Sequence, residues 1–220
     1  AAAPTGIDTA AFEEFLTGHT PSQAANLTNM IGKDVTIGAP QIEIISNGTF
    51  VSSLPPEVVQ IILNFSGGAA GSHSYLFTSE IATTIAGLMM GQEEIELNEA
   101  ALSALEEAGN TMAGSVATAM SEQLSLDIST EPAQSRTIAA NNVEAPDGEF
   151  VKVTYPVTIE GQDESQLMEL FDMSIASLVG APAAAAAPAD AAPAGGLFDG
   201  GGLGDDSLFG GAMDQSPLDM

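Results

Sequence analysis

The segment "LSALEEAGNTMAG" (Leu102–Gly114) carries two periodicities at once. Leu102, Leu105, Ala108 and Met112 recur at three- and four-residue spacing, the signature of a helix face that packs on a sheet. Ser103, Glu107, Asn110 and Gly114 recur at the same spacing and define a second, polar face of that helix. Gly109 and Asn110 stand where a helix prefers alanine or leucine, and an interior glycine costs about 1 kcal/mol relative to Ala. A reason other than helix stability is therefore expected for Glu107, Gly109 and Asn110, with the glycines leaving the backbone low enough for another surface to approach.

Outward from this segment, Asn98 is the expected cap of a helix that runs to about Gln123. "LSLDI" reads as a strand, "FVKVTYPVTI" and "SQLMELF" as a strand pair, and "DMSIASLV" as a closing helix capped by Asp172. The preceding half has the same order. A helix from about Asp8 to Met30, capped by Asp8, carries apolar Phe12, Phe15, Leu16, Leu27 and Ile31, and Thr20-Pro21 is expected to kink or interrupt it. "DVTIGAPQIEII" is strand-like, Asn47-Gly48 signals a turn, "VVQIILNF" and "SYLF" are strands, and "SEIATTIAGLMM" is a helix capped by Ser79. At an offset of 91, Gly18 falls on Gly109, Thr20 on Thr111, Val35 on Leu126 and Ile37 on Ile128. The expected fold is α+β in α/β/α layers. It is a pseudo-two-fold repeat of helix-strand-strand-strand-helix halves, about 7–90 and 97–180, whose mostly antiparallel sheet is covered by helices.

Composition sets the limits of this reading. The chain of 220 residues is 45% apolar, enough for one domain, expected over 1–180, to bury a core. It has no Cys and only His19 and His73, so disulfides, thiol nucleophiles and Cys/His zinc sites are excluded. Thirty acidic residues face three basic ones, Lys33, Arg136 and Lys152, for a net charge of −27. Such a surface repels nucleic acid and anionic membrane; it suits a basic protein partner, or a high-salt environment. Apolar runs stop short of the ~20 residues needed to span a bilayer, and the expected location is the cytoplasm. "APAAAAAPADAAPAGG" (181–196) reads as a linker, and 197–220 as an acidic, Gly-rich disordered tail whose Leu197-Phe198 and Leu208-Phe209 could serve as docking peptides.

The polar row Ser103, Glu107, Asn110 offers a hydroxyl, a carboxylate and a carboxamide, with no nucleophile beside a base and no all-protein metal cage. A carboxamide can both donate to and accept from water, and so hold it in line with a phosphorus atom. Phosphoryl transfer needs mainly positioning and charge neutralisation.

Ser103-x3-Glu107-x2-Asn110, on a helix after "IAGLMMG" and continued by "GSVATAMSEQL", with Pro132 following 21 intervening residues, resembles the CheC, CheX and FliY phosphatases of bacterial and archaeal chemotaxis. The resemblance covers about residues 7–180. It implies an enzyme that hydrolyses the aspartyl phosphate of the response regulator CheY, with Mg²⁺ held by that partner and not by this chain. It casts Asn110 as the group that orients water and Glu107 as the anchor to a cation of the partner, with Ser103 and Pro132 in support. The first-half positions matched at the offset of 91 are Phe12, Leu16 and His19, a degenerate centre without the chemistry. Flagellar motor switch proteins or a chemotaxis deamidase are further partners the resemblance suggests, and the motor switch a further location. Two other readings stand beside it: a non-catalytic motor switch docking module of the same fold, and an acidic adaptor with no dependence on Asn110. FliY-like proteins carry a further domain after a Pro-rich linker, and the 24 residues of 197–220 are too few for one, so the sequence reads as a fragment or as a chain with a different tail.

Overall fold

A computed structural model describes residues 7–93 and 95–181. The linker and tail expected at 181–196 and 197–220 lie outside the described residues but for Ala181. The first half runs α1 (Thr9–Ile31), β1 (Val35–Ile37), β2 (Gln41–Ser46), α2 (Asn47–Ser53), β3 (Glu57–Ile62), β4 (Phe65–Gly67), β5 (His73–Thr78) and α3 (Ser79–Met90). The second runs α4 (Glu99–Leu124), β6 (Ile128–Thr130), β7 (Gln134–Ala139), a 3-10 turn (Ala140–Asn142), β8 (Glu149–Ile159), β9 (Ser165–Asp172) and α5 (Met173–Val179). It is the mixed helix and sheet fold expected, and every strand pairing in it is antiparallel.

The main sheet has the order β1-β8-β9-β5-β3-β7, with β2 continuing β1 along β8, and β4 pairs β6 separately. Its centre is the β5·β9 ladder, where Tyr75 lies opposite Glu169. His73 pairs Phe171 and Phe77 pairs Leu167, so a shift of 94 positions maps each of these pairs onto the other. The same relation extends outward. Gln41 and Gln134, which open β2 and β7, are 93 positions apart, and so are Val35 and Ile128, which open β1 and β6. Val35 pairs Ile159 while Ile128 pairs Gly67, so β4 is the far end of β3 beyond a break at Leu63-Asn64 and corresponds to the far end of β8. Each half therefore has four strands rather than the three expected.

The offset of 91 read from the sequence is two residues short. Shifted by 93, the buried Phe12, Phe15, Leu16, Thr20, Gln23 and Leu27 of α1 fall on the buried Leu105, Ala108, Gly109, Ala113, Val116 and Met120 of α4. The left-handed C-caps agree, Gly32 with Ser125.

One sheet face carries α1, α3, α4 and α5 over a core that includes Phe12, Leu16, Ile61, Leu105 and Phe171. The other carries a smaller cluster in which Phe50 of α2 meets Val58, Leu76, Phe150 and Leu170. Alternation along the strands divides the two sets: on β3, Val58 faces α2 while Val59 and Ile61 face the helical layer.

Side-chain caps fall at Asp8, Asn98 and Asp172 as expected, each accepting from backbone N–H groups of the first turn. Four local expectations differ. Pro21 sits inside an unbroken α1, because the carbonyl it deprives of a partner belongs to exposed Thr17, where water can satisfy it. Asn47-Gly48 opens α2 instead of a turn, since Phe50 must cover the second cluster. Thr78, not Ser79, caps α3, its Oγ1 accepting from the Ile81 N–H at 3.4 Å. In "LSLDI" Leu124 still belongs to α4 and Ser125 takes φ 54°, so the strand starts only at Ile128.

Beneath the helices, burial isolates a polar cluster at the centre of the ladder. Glu169 and His73 are buried, with Glu169 Oε1 2.8 Å from His73 Nε2. His73 Nδ1 donates to the Leu63 carbonyl at 3.1 Å, and the Tyr155 hydroxyl donates to Glu169 Oε2 at 2.9 Å. Burial, reinforced by the charge of Glu169, pushes the Tyr75 and Tyr155 phenols well above their usual value.

Two consequences can be measured. A Cβ on Gly109 would lie 2.9 Å from Ile61 Cγ2, on a branched side chain fixed in a central strand. Helix propensity alone gives Gly109→Ala a gain of about 1 kcal/mol, whereas overpacking costs about 1–3 kcal/mol. The urea midpoint should therefore fall, and a rise would refute the close approach of α4 to β3. Phenols whose folded pKa lies above the unfolded value contribute stability that is present below about pH 10 and lost above it, as the unfolded state sheds protons the fold retains. The chain has two tyrosines, so phenolate absorbance reports both. It should appear together with the loss of circular dichroism, and phenolate forming on an intact fold would contradict the burial.

Candidate functional site

Asn98 Oδ1 accepts from the N–H groups of Ala100 and Ala101 at 3.0 and 3.1 Å and sets where α4 begins. From that start, Leu105, Ala108 and Met112 turn into the core, which leaves Ser103, Glu107 and Asn110 exposed on the opposite face. Gly109 is buried, and the surface that approaches it is the protein's own β3, not a partner. Gly114 differs, since a Cβ there would meet no atom within 4 Å.

Asn110 makes a contact across 23 residues: its Oδ1 accepts the Ala133 N–H at 3.0 Å. Because a backbone N–H can only donate, the atom facing it is the amide oxygen, and the plane of the carboxamide is fixed by chemistry. Among the described residues Nδ2 donates to no protein acceptor, so both of its hydrogens and one oxygen lone pair point to the exterior. Pro132, exposed with its φ locked by the ring, immediately precedes the clamping N–H. The residues read from sequence as Asn110 and Pro132 are thus brought together at the junction of α4 with the β6–β7 connection.

Glu107 lies one turn from Asn110, with its carboxylate exposed and without a cationic partner among the described residues. Its backbone carbonyl accepts the Thr111 hydroxyl at 3.0 Å. Two of the three basic residues are engaged elsewhere, Arg136 with Glu144 at 2.8 Å and Lys152 with Glu43. Ser103 continues the row one turn earlier, exposed and without a side-chain bond among the described residues. One carboxylate and one carboxamide do not make a cage for a divalent cation, and among the described residues no group of three or more acidic or imidazole side chains comes together to form one.

Two residues of this neighbourhood carried no signal in the sequence reading. Glu106 Oε1 accepts the Ser135 N–H at 2.9 Å. The single Ser135 hydroxyl proton is shared between Glu106 Oε1 at 3.1 Å and the Leu102 carbonyl at 3.0 Å. Together they tie the start of β7 to α4.

The first half does not present Phe12, Leu16 and His19 in the corresponding place. Phe12 and Leu16 are buried in the core, and His19 stacks on Phe15 at 4.4 Å with its Nδ1 2.7 Å from the Phe15 carbonyl. With the shift of 93, the counterparts of Ser103, Glu107 and Asn110 are Ala10, Glu14 and Thr17, all exposed on α1. The counterpart of Ala133 is Pro40, which has no N–H to offer. The half that lacks the amide also lacks its clamp.

Residues 59–137, which hold α4, the clamp and the whole polar row, match the family model described as "Chemotaxis phosphatase CheX". Over 164 residues, 70% of this chain and 43% of the relative, the sequence is 29% identical to the flagellar motor switch phosphatase FliY of Bacillus subtilis. Over 63 residues, 28% of this chain and 41% of the relative, it is 41% identical to the CheY-P phosphatase CheX of Thermotoga maritima. The chain therefore spans less than half the length of these curated relatives. In fold it is similar to the crystal structure of Thermotoga maritima FliY, with a TM-score of 0.70 at 24% identity over 78% of this chain and 93% of the other. It is similar also to the FliM middle domain from H. pylori, with a TM-score of 0.63 at 15% identity over 78% and 96% of the two chains. In sequence the chain is thus similar to CheX and FliY proteins, and it shares the fold of FliY and of FliM middle domains.

Proposed function

We propose that this domain is a phosphatase acting on the aspartyl phosphate of a CheY-type response regulator, with Asn110 as the residue that positions the attacking water. The observation that carries this reading is the clamp of the Ala133 N–H on Asn110 Oδ1, which leaves an exposed carboxamide preset in one orientation. The match of residues 59–137 to the CheX family, and the names of the relatives, support the same class of reaction.

In this mechanism Glu107, exposed and without a cation of its own, anchors α4 to a lysine at the regulator's phosphorylation site. The carboxamide of Asn110 then reaches the aspartyl phosphate and holds a water in line with its phosphorus. The water oxygen forms a bond to phosphorus as the bond to the aspartyl oxygen breaks. Free carboxylate and inorganic phosphate leave, and both protons of the water depart with the phosphate. A loose transition state of this kind needs positioning more than a strong base, so an amide suffices. Mg²⁺, which neutralises the phosphoryl charge, belongs to the regulator in this scheme, because the donor set on α4 does not fit a cation of its own. Ser103 and Pro132 shape the contact face. The net charge of −27 favours approach to a basic surface around such a site. The cytoplasmic face of the motor switch is the proposed place of action, with switch proteins or a chemotaxis deamidase as further partners.

A second reading is favoured by one observation, the likeness to FliM middle domains: a docking module of the motor switch that binds the regulator without hydrolysis. The two differ in what Asn110 does. With a phosphorylated regulator and Mg²⁺, Asn110→Ala should reduce the acceleration of phosphate loss roughly hundredfold, the scale set by removal of one orienting donor, at unchanged KM. Glu107→Ala should instead raise KM. Binding by the wild type with no acceleration of phosphate loss would leave the docking module.

A further inference from the structure

We propose that Glu106 and Ser135 are positioning residues for Asn110, acting through the segment 131–135; the inference rests on the phosphatase reading above. A carboxamide turns about a soft sp³–sp² torsion, so an exposed Asn does not hold one orientation without a partner. The partner here is the Ala133 N–H, and its placement depends on what holds the segment around it. Downstream, the Ser135 N–H and hydroxyl close on Glu106 Oε1 at 2.9 and 3.1 Å, with the Leu102 carbonyl 3.0 Å from the same hydroxyl. Upstream, the Glu131 N–H donates to the Asn64 carbonyl at 2.8 Å, and Asn64 Nδ2 returns a bond to Glu131 Oε2 at 3.1 Å.

Glu106 and Asn110 are one turn apart on α4 and engage the same segment two residues apart, at Ser135 and Ala133. The carboxylate takes a backbone N–H and shares a hydroxyl, a charge-assisted pair stronger than neutral bonds of the same length. The internal repeat supplies a comparison. At the shift of 93, Thr17 replaces Asn110, Pro40 replaces Ala133 and Ile42 replaces Ser135, while Glu13 stands where Glu106 does. Glu13 is exposed and makes no side-chain hydrogen bond among the described residues, so the carboxylate at this position holds no segment in the half without the amide. Clamp and amide are present together in one half and missing together from the other.

The test uses the full chain with a phosphorylated response regulator and Mg²⁺, and follows amide hydrogen exchange at Ala133 by NMR on the same samples. Glu106→Ala should lower kcat about tenfold, within the range that small misplacements of a reacting group produce, with KM unchanged, and should speed exchange at Ala133. Glu106→Gln, whose carboxamide oxygen can still accept the Ser135 N–H, should restore most of both. Ser53→Ala removes a hydrogen bond to the Phe50 carbonyl on α2, on the far side of the sheet, and should leave kcat and Ala133 exchange unchanged. Unchanged kcat and unchanged exchange in Glu106→Ala would overturn the inference. An equal loss of kcat in Ser53→Ala would do so too, by tracing the effect to general destabilisation. A wild type that does not accelerate phosphate loss would remove the phosphatase reading and the kinetic role with it, while the exchange data would still decide whether Glu106 holds the clamp.

Discussion

The antiparallel pairing of β5 with β9 is the constraint on which the rest of the domain depends. It joins two halves of the same plan about a pseudo-two-fold axis that passes between Tyr75 and Glu169. Each half then pairs its remaining strands outward in matching register, and each sends its long helix back over the same sheet face. A carboxylate buried at such a centre is tolerated only when hydrogen bonds satisfy it. Glu169 accepts from the Tyr155 hydroxyl and shares a hydrogen bond with His73 Nε2, on strands flanking or crossing the axis. The cluster therefore does for the join what apolar packing does for the periphery, and it does so with groups that accept few alternative arrangements.

On this symmetric frame the chemistry is one-sided. Leu16 occupies in α1 the position that Gly109 occupies in α4, so α4 alone has a glycine where its backbone closes on Ile61 and Leu63. Pro40 and Ala133 occupy equivalent places, yet only Ala133 can donate a hydrogen bond to a side chain on the helix above it. The frame thus offers two similar helix faces, one with a fixed amide and the other with a threonine and no donor beneath it. The proposed chemistry follows from that asymmetry rather than from the fold, which FliM middle domains share.

Much of this was legible in the sequence, for reasons that differ by element. Asp8, Asn98 and Asp172 announce helix starts because their side chains are the caps. The strand β8 alternates clearly along Val151–Ile159, and β9, buried on both faces, reads as an apolar run broken only by Glu169. By contrast, β7 carries no such signal: as an edge strand it reads "QSRTIA", with little apolar alternation to mark it. The repeat is visible, but matching Gly18 to Gly109 displaces it by two residues, since Gly18 is exposed and Gly109 is a core contact. At an offset of 91 the core face of α1, with Phe12 and Leu16, stands in place of its exposed face. Glu107 and Asn110 stood out through their spacing, whereas Glu106 beside them did not: its role comes from Ser135, 29 residues away, and no local pattern signals that bond.

If only the α4 face is equipped to engage a regulator, the number of regulators bound by one domain should be one. Calorimetric titration of the chain with a response regulator held in its active form by beryllofluoride, a mimic of the aspartyl phosphate, measures this directly. One regulator per chain is expected, with binding lost in Glu107→Arg and retained in Glu14→Arg. Two regulators per chain, or binding that depends on Glu14 and not on Glu107, would contradict the one-sided site.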